Sequence, residues 1–293
     1  MTTMFESTQH VVPQRTSMEA LADSLISQGI DVVERDGTFW VSDGRAGFFR
    51  PLHKVWRLRG QDLKRPHWSS LAYVAVLASV DQSYANAKLG VHMLVDPHAF
   101  AIAKLPETRR RNLKKCRRLV EIGRLTDPEL IARDGFAVHQ SAMQRTGYGF
   151  SEYASPEGYR EWMVRRASDL GRIVLVGLID GQLVGYLEGW IVENRGFDTA
   201  YINTLTLHSD HLSSQVGTGL VVDFIEICKC LPTVAEIVYG YEVEGDSALE
   251  RFKQGMGFPV FHLPSHIWML GPGRHLVRRL MSHRYRQFTG DYS

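Results

Sequence analysis

Six consecutive residues, Ser214-Gln215-Val216-Gly217-Thr218-Gly219, open an apolar helical pattern and have the plainest chemical use in the chain. Glycines let backbone approach a ligand closely, and the first amides of a helix offer unpaired N–H groups at the positive end of a dipole. The pattern therefore suits a phosphate or pyrophosphate, although two glycines one residue apart also occur in loops that bind nothing. Glu188, in Tyr186-Leu187-Glu188-Gly189-Trp190, is a carboxylate inside an otherwise apolar strand. If it is buried, its pKa should rise toward neutrality, as a general base needs; if it points outward, it is a solvated side chain. Glu242 and Glu244 close a later strand and follow Tyr239 and Tyr241, a second carboxylate set with two phenols able to protonate a leaving group or anchor a substrate. His208 is a further base candidate, or a surface residue.

Two basic stretches could bind phosphate or simply form solvated faces. In the first, Arg110, Lys114 and Arg117 share one helix face and Arg111, Lys115 and Arg118 another, with Arg109 beside them. In the second, Arg274, Arg278, Arg279, Arg284 and Arg286 alternate with Leu276, Leu280 and Tyr285, a pattern that fits a packed surface helix or contact with a membrane or RNA. No zinc-ligand spacing joins His208, His211, His262 and His266, and no nucleophile motif surrounds a serine or cysteine, so no metal and no covalent enzyme intermediate are expected.

The elements that must position these residues fall into two parts. A helix over 18–27 leads into short alternating segments at 30–34, 38–42 and 46–50. A helical pattern at 68–78 and a strand at 90–96 follow, and Pro106 opens the first basic helix, expected to run through Ile122. Helices near 136–143 and 156–170 come next, with the Tyr, Trp and Met positions of the second assigned to a core. Strands at 173–179, 183–192 and 200–207 form an antiparallel meander with a turn at Asp180-Gly181. The glycine loop then starts a helix to about Cys230, followed by a strand at 236–242, a helix at 247–256 and a strand at 259–269. A meander that continues into a parallel strand needs the long crossover that a helix supplies.

This order resembles the GNAT acyltransferase superfamily. The resemblance implies an α/β (α+β) fold with a mixed central sheet, and a loop after the meander that carries the pyrophosphate of acyl-CoA. Gly217 and Gly219 match that loop, Ser214 stands where the family has Gln or Arg, and Gln215 lies one place late. By the same resemblance Leu205 and Leu207 would lie along the pantetheine, an amide of that strand would stabilise the carbonyl oxygen, and Gln215, Val216, Gly217, Thr218 and Gly219 would hold the phosphates. The family's usual acid, a tyrosine, aligns with Phe252, which has no proton to give. Phe252-Lys253-Gln254-Gly255-Met256-Gly257 and Arg110-Arg111-Asn112 further resemble the Fem-type branch, in which Lys253 would contact a phosphate or leaving group.

The implied activity is N-acyl transfer from acyl-CoA to an amine by direct attack, with Glu188, Glu242, Tyr241 and Lys253 as the catalytic set. An aminoacyl-tRNA-dependent transferase and a non-catalytic binding module are the alternatives. The acceptor would be a small-molecule or lipid-linked amine, and a tRNA donor or a peripheral membrane contact is compatible.

The expected division is a reduced N-terminal α+β lobe over 1–105 and the acyltransferase domain over 106–293. Composition agrees with an ordinary globular protein, since 44% hydrophobic residues can fill such cores. A net charge of +2 gives no general attraction to polyanions. Three cysteines make no disulfide framework, and no apolar run has the length of a bilayer span or signal core. A cytoplasmic location is therefore expected.

Overall fold

The computed structural model describes residues 5–8, 13–42, 47–147, 155–167, 169, 171–242 and 247–271. The chain opens with β1 (Phe5–Ser7), β2 (Arg15–Thr16) and α1 (Met18–Ser27). Ser17 starts α1 by accepting from the Ala20 amide at 3.1 Å. Strands β3 (Val32–Arg35), β4 (Thr38–Ser42), β5 (Phe48–Pro51), β6 (Arg57–Leu58), β7 (Ala72–Leu77) and β8 (Ala87–Val95) follow. After α2 (Glu107–Leu119) come β9 (Glu121–Leu125), α3 (Pro128–Thr146), α4 (Pro156–Ala167), β10 (Arg172–Ile179), β11 (Gln182–Asn194) and β12 (Phe197–Leu207). The last elements are α5 (Val216–Lys229), β13 (Val234–Tyr241), α6 (Ser247–Gly255) and β14 (Val260–Met269). Among the described residues no helix is long and apolar enough to cross a membrane.

Two expectations are corrected here. The helical pattern at 68–78 is strand β7, every residue of which is buried; an apolar run of that length does not distinguish a buried strand from a buried helix. The basic helix stops at Leu119, and Ile122 belongs to β9, where it pairs with Gly177 of β10. Glu244 and the arginines of 274–286 lie outside the described residues.

The chain forms two compact units, each drawn from three stretches of sequence. The first contains residues 1–16, 94–239 and 252–258; the second contains residues 17–93, 240–251 and 259–293. The first unit holds the sheet β1-β9-β10-β11-β12-β13. Its meander β10-β11-β12 is antiparallel, and β13 joins β12 in parallel after the α5 crossover. Strand β2 pairs with Ile191 and Val192 of β11, just past Trp190, where β10 begins.

Helix α5 is buried on all sides from Val216 to Ile225, the pattern of a helix enclosed by core. Glycines make room for it on the sheet: a Cβ on Gly189 would meet the Phe224 ring at 2.3 Å, and one on Gly177 would meet Val216 at 2.6 Å. Leu175, Leu187, Ile191 and Ile202 pack beneath it, each fully buried aliphatic side chain contributing roughly 1.5–3 kcal/mol. On the opposite sheet face, Ile131, Val138, Tyr159 and Met163 of α3 and α4 cover Val174, Val176, Leu183 and Tyr186. The assignment of Tyr159, Trp162 and Met163 to a core agrees with this packing.

In the second unit the order is β8-β14-β7-β5-β4-β3, with β6 also on β7, around a cluster of Trp40, Phe49, Leu58, Tyr73 and Ala75.

Candidate functional site

Pairing between β12 and β13 runs from Asp198↔Val234 only to Tyr201↔Val238, although β12 continues to Leu207 and β13 to Tyr241. The strands part just before Gly240, which has a φ of 84°. On its other edge β12 stays with β11 down to Gly185↔Leu207, but the register shifts between Glu188↔Thr204 and Gly189↔Ile202, so Asn203 is an unpaired bulge residue. The second half of β12 therefore has an edge free of β13, beginning at a bulge and running toward the start of α5.

A short 3-10 turn, Ser209–Ser214, carries the chain from β12 into α5. Gln215 adopts the left-handed conformation at φ 66° and precedes the helix, while its side chain donates back to the Leu212 carbonyl at 3.3 Å. Its own carbonyl accepts from Thr218 at 2.9 Å, which leaves the amides of Val216 and Gly217 as first-turn donors with no helical acceptor. A Cβ on Gly217 would lie 2.8 Å from Leu207 and 3.6 Å from Leu205. A Cβ on Gly219 would lie 2.5 Å from Cys116 and Ile122. The two glycines thus let the helix start close to β12 and to α2, and Leu205 and Leu207 turn their side chains toward α5. Thr218 Oγ1 is buried without a hydrogen-bond partner.

At the mouth of the cleft stands Tyr239, the first residue of β13 beyond the last pair. It packs edge-on against Phe252 and Phe258, with ring centroids 6.5 and 5.4 Å away. Its hydroxyl is buried and lacks a hydrogen-bond partner, and burial pushes the phenol pKa upward, keeping the proton in place. Lys253 Nζ, on a nearly buried side chain, lies 5.6 Å from the Tyr239 ring centroid. Arg109 of α2 lies 4.8 Å above the Phe252 ring. The structure thus gathers Leu205, Leu207, Val216, Gly217, Thr218, Gly219 and Lys253 in the first unit. Tyr241 and Glu242 belong to the second unit, where Tyr241 OH donates to the Lys54 carbonyl at 3.5 Å and the Glu242 side chain lies over Gly90.

The expected rise in the pKa of Glu188 is reversed. Burial alone would raise it, but Arg166 and Arg172 outweigh burial and hold the carboxyl below its ordinary range. One carboxylate oxygen accepts from Arg166 Nη2 at 2.6 Å, Arg166 Nε at 3.2 Å and Arg172 Nη1 at 2.9 Å. Glu188 is therefore a committed ion-pair partner. Beside it on the same sheet face, Tyr186 meets Tyr159 at 3.2 Å between hydroxyls, and burial raises its pKa to about 12.

Helix α2 supplies most of the charge near α5. Leu113 and Cys116 are its buried positions, while Arg110, Arg111, Lys114, Lys115, Arg117 and Arg118 are exposed. Arg117 differs from the others in forming a bidentate pair with the nearly buried Asp223 of α5. The second face, Arg111, Lys115 and Arg118, keeps its three cations at the surface. No group of metal-ligating side chains exists among the described residues.

Sequence reasoning missed the buried pair of His92 with Glu250 in the second unit. The two residues lie 158 positions apart, and no local pattern links them.

Residues 135–258 match the model of the acetyltransferase (GNAT) family. No curated protein sequence matches the chain. Among solved structures, the C-terminal domain of a protein described as a lysylphosphatidylglycerol synthetase from Agrobacterium fabrum is similar at a TM-score of 0.59 and 14% identity, over 97% of this chain and 96% of that one. L-PGS from Bacillus licheniformis gives a TM-score of 0.56 at 11% identity, over 95% and 99%. FemX gives 0.55 at 7% identity, over 89% and 93%. Identities this low speak for the fold alone. With the parted strands and the glycine-started helix, the family match shows an acyltransferase domain of the GNAT type over residues 135–258, and FemX shares the fold.

Proposed function

We propose that the chain is an N-acyltransferase that takes its acyl group from acyl-CoA and holds that donor along the free edge of β12. The carrying observation is the parting of β12 from β13 after Tyr201↔Val238. An amide-containing chain laid on that edge meets backbone groups that β13 does not use, and the first-turn amides of α5 meet its phosphates. The thioester supplies an activated carbonyl carbon and a good leaving group. Amides at the Asn203 bulge are free of β13 and suited to stabilising the carbonyl oxygen as negative charge builds.

With Glu188 committed to two arginines, the acceptor enters as its neutral amine. Its nitrogen bonds to the carbonyl carbon, the carbon–sulfur bond breaks, and the proton lost by nitrogen passes to solvent. Tyr239, in place of the hydroxyl that Phe252 lacks, donates a hydrogen bond to the departing thiolate while keeping its proton, Lys253 stabilises the negative sulfur, and the thiolate is then protonated from solvent.

A second reading keeps the fold and changes the donor to an aminoacyl-tRNA. The surface cations Arg111, Lys115 and Arg118 favour it, since a tRNA end would engage several at once. A lipid-linked acceptor is compatible with either donor, and one protein of similar fold is described as a lysylphosphatidylglycerol synthetase.

Thermal melting tests the donor, because a ligand of the folded state raises the melting temperature. Stabilisation by acetyl-CoA or a longer acyl-CoA, lost in Gly217→Glu, is the expected result. Stabilisation by charged tRNA alone would replace the first reading with the second.

A further inference from the structure

We infer that Arg145, in the last turn of α3, grips the pyrophosphate of the donor and supplies the positive charge that the glycine loop lacks. The inference rests on the acyl-CoA reading above and adds to that site a residue from another element. The two edges of β12 can be told apart by its hydrogen bonds. The His208 amide donates to the Val184 carbonyl of β11 at 2.9 Å, and successive residues of a strand direct their peptide groups to opposite edges. The peptide groups of Leu205 and Leu207 therefore face the edge that β13 leaves free. Arg145 Nη1 donates to the Leu207 carbonyl at 3.2 Å and to Ser209 Oγ at 3.2 Å, so its guanidinium stands at the end of that edge, where the chain turns toward α5. One helical turn earlier, Ser141 Oγ accepts from the Ser209 amide at 3.0 Å, and the Ser209 hydroxyl donates to the Ser141 carbonyl at 3.0 Å. The cation is thus fixed to the strand end and to the turn that follows it.

Among the described residues Arg145 bonds only to uncharged oxygens, and its side chain is exposed. With Nη1 engaged, Nε and Nη2 remain as the edge of the guanidinium that meets two oxygens of a phosphate at once. At the far end of the turn the amides of Val216 and Gly217 have no helical acceptor, and Thr218 Oγ1 is buried without a partner. Residues 212–219 contain no lysine, arginine or histidine, so the loop offers a diphosphate dipoles and no full charge. A donor laid along β12 meets Arg145 at Leu207 and the amides of α5 next. An arginine in a last helical turn also complements the helix dipole, and the experiment separates that role from phosphate binding.

Calorimetric titration of the full chain, wild type, Arg145→Gln and Arg145→Lys, with acetyl-CoA and with acetylated dephospho-CoA, which lacks the 3′-phosphate, tests this. Arg145→Gln should weaken both ligands by about tenfold, and Arg145→Lys, which keeps the charge without the planar fork, should recover part of the loss. The wild-type affinity should fall as salt is added, and that of Arg145→Gln should fall less. Both variants should melt close to wild type, because the side chain is exposed. Equal affinity of wild type and Arg145→Gln for acetyl-CoA would overturn the inference, as would an Arg145→Lys variant no better than Arg145→Gln. A loss seen with acetyl-CoA and absent with the dephospho ligand would also overturn it, by moving the contact to the 3′-phosphate. A folded wild type that binds neither ligand would instead overturn the acyl-CoA reading on which the inference rests.

Discussion

Cys116 and Gly219 occupy adjoining places on α2 and α5, with so little space between them that a Cβ on the glycine would lie 2.5 Å from the sulfur. Both are buried, so the clash cannot be relieved toward solvent. Gly219→Ala should lower stability by about 1–3 kcal/mol. Adding Cys116→Ala removes the opposing atom, and the double variant should recover part of that loss. A denaturant-unfolding cycle on the four proteins measures the coupling; strictly additive effects would mean that the contact is slack.

The three-residue ion cluster of Glu188, Arg166 and Arg172 yields a second expectation. Glu188→Gln leaves Arg166 without its counter-charge and Arg172 with only the Asp169 carboxylate at 3.8 Å, and should cost about 3–5 kcal/mol. The folded carboxyl lies below its ordinary range, so the wild-type contribution is fully present above the unfolded value of about 4.3 and is lost as pH falls through the lower folded value. Acid titrations of stability for wild type and variant should converge at low pH.

Tyr239→Phe separates catalysis from folding. The hydroxyl has no partner to lose, so stability should stay within about 0.5 kcal/mol of wild type, while turnover with a thioester donor falls by about two orders of magnitude. Unchanged turnover would remove Tyr239 from the reaction.

His53, almost fully buried in the second unit, is driven down to about pKa 3, chiefly by burial and also by Arg57. An unfolded histidine titrates near 6.5, so this group contributes stability that is complete above about pH 6.5 and declines as pH falls toward about 3, by at most about 1.4 kcal/mol per pH unit. His53→Gln should flatten that part of the stability profile in calorimetry.

Charge reversal on the exposed face of α2 distinguishes the donors. Lys115→Glu with Arg118→Glu should weaken binding of a tRNA donor strongly and reduce its dependence on salt, while leaving an acyl-CoA donor affected only modestly. Titrations at two salt concentrations read the difference.

Elements whose cause is local were legible in the sequence. Helix α1 is bounded by its Ser17 cap, and α5 by the glycine loop and an unbroken apolar run. The meander was readable from turns such as Asp180-Gly181, where both residues take positive φ. Strand β7 was not, because its six buried residues carry no alternation to show that it lies within a sheet. The fate of Glu188 was hidden for a different reason. Its apolar neighbours announced burial, but the arginines that decide its charge lie 16 and 22 residues away and meet it only once α4 and β10 pack. The parting of β12 and β13 is a property of register, which no single strand's composition encodes.

The interleaving of the two units limits how the protein can be dissected. Any continuous fragment containing all of the first unit must extend from residue 1 to 258, and so includes residues 17–93 and 240–251 of the second. Cutting the gene into halves after residue 105 would leave β1 and β2 on one polypeptide and the strands they pair with, β9 and β11, on the other. Such halves should associate when co-expressed and remain insoluble when made separately, so for this chain the inherited unit of folding is larger than the unit of catalysis.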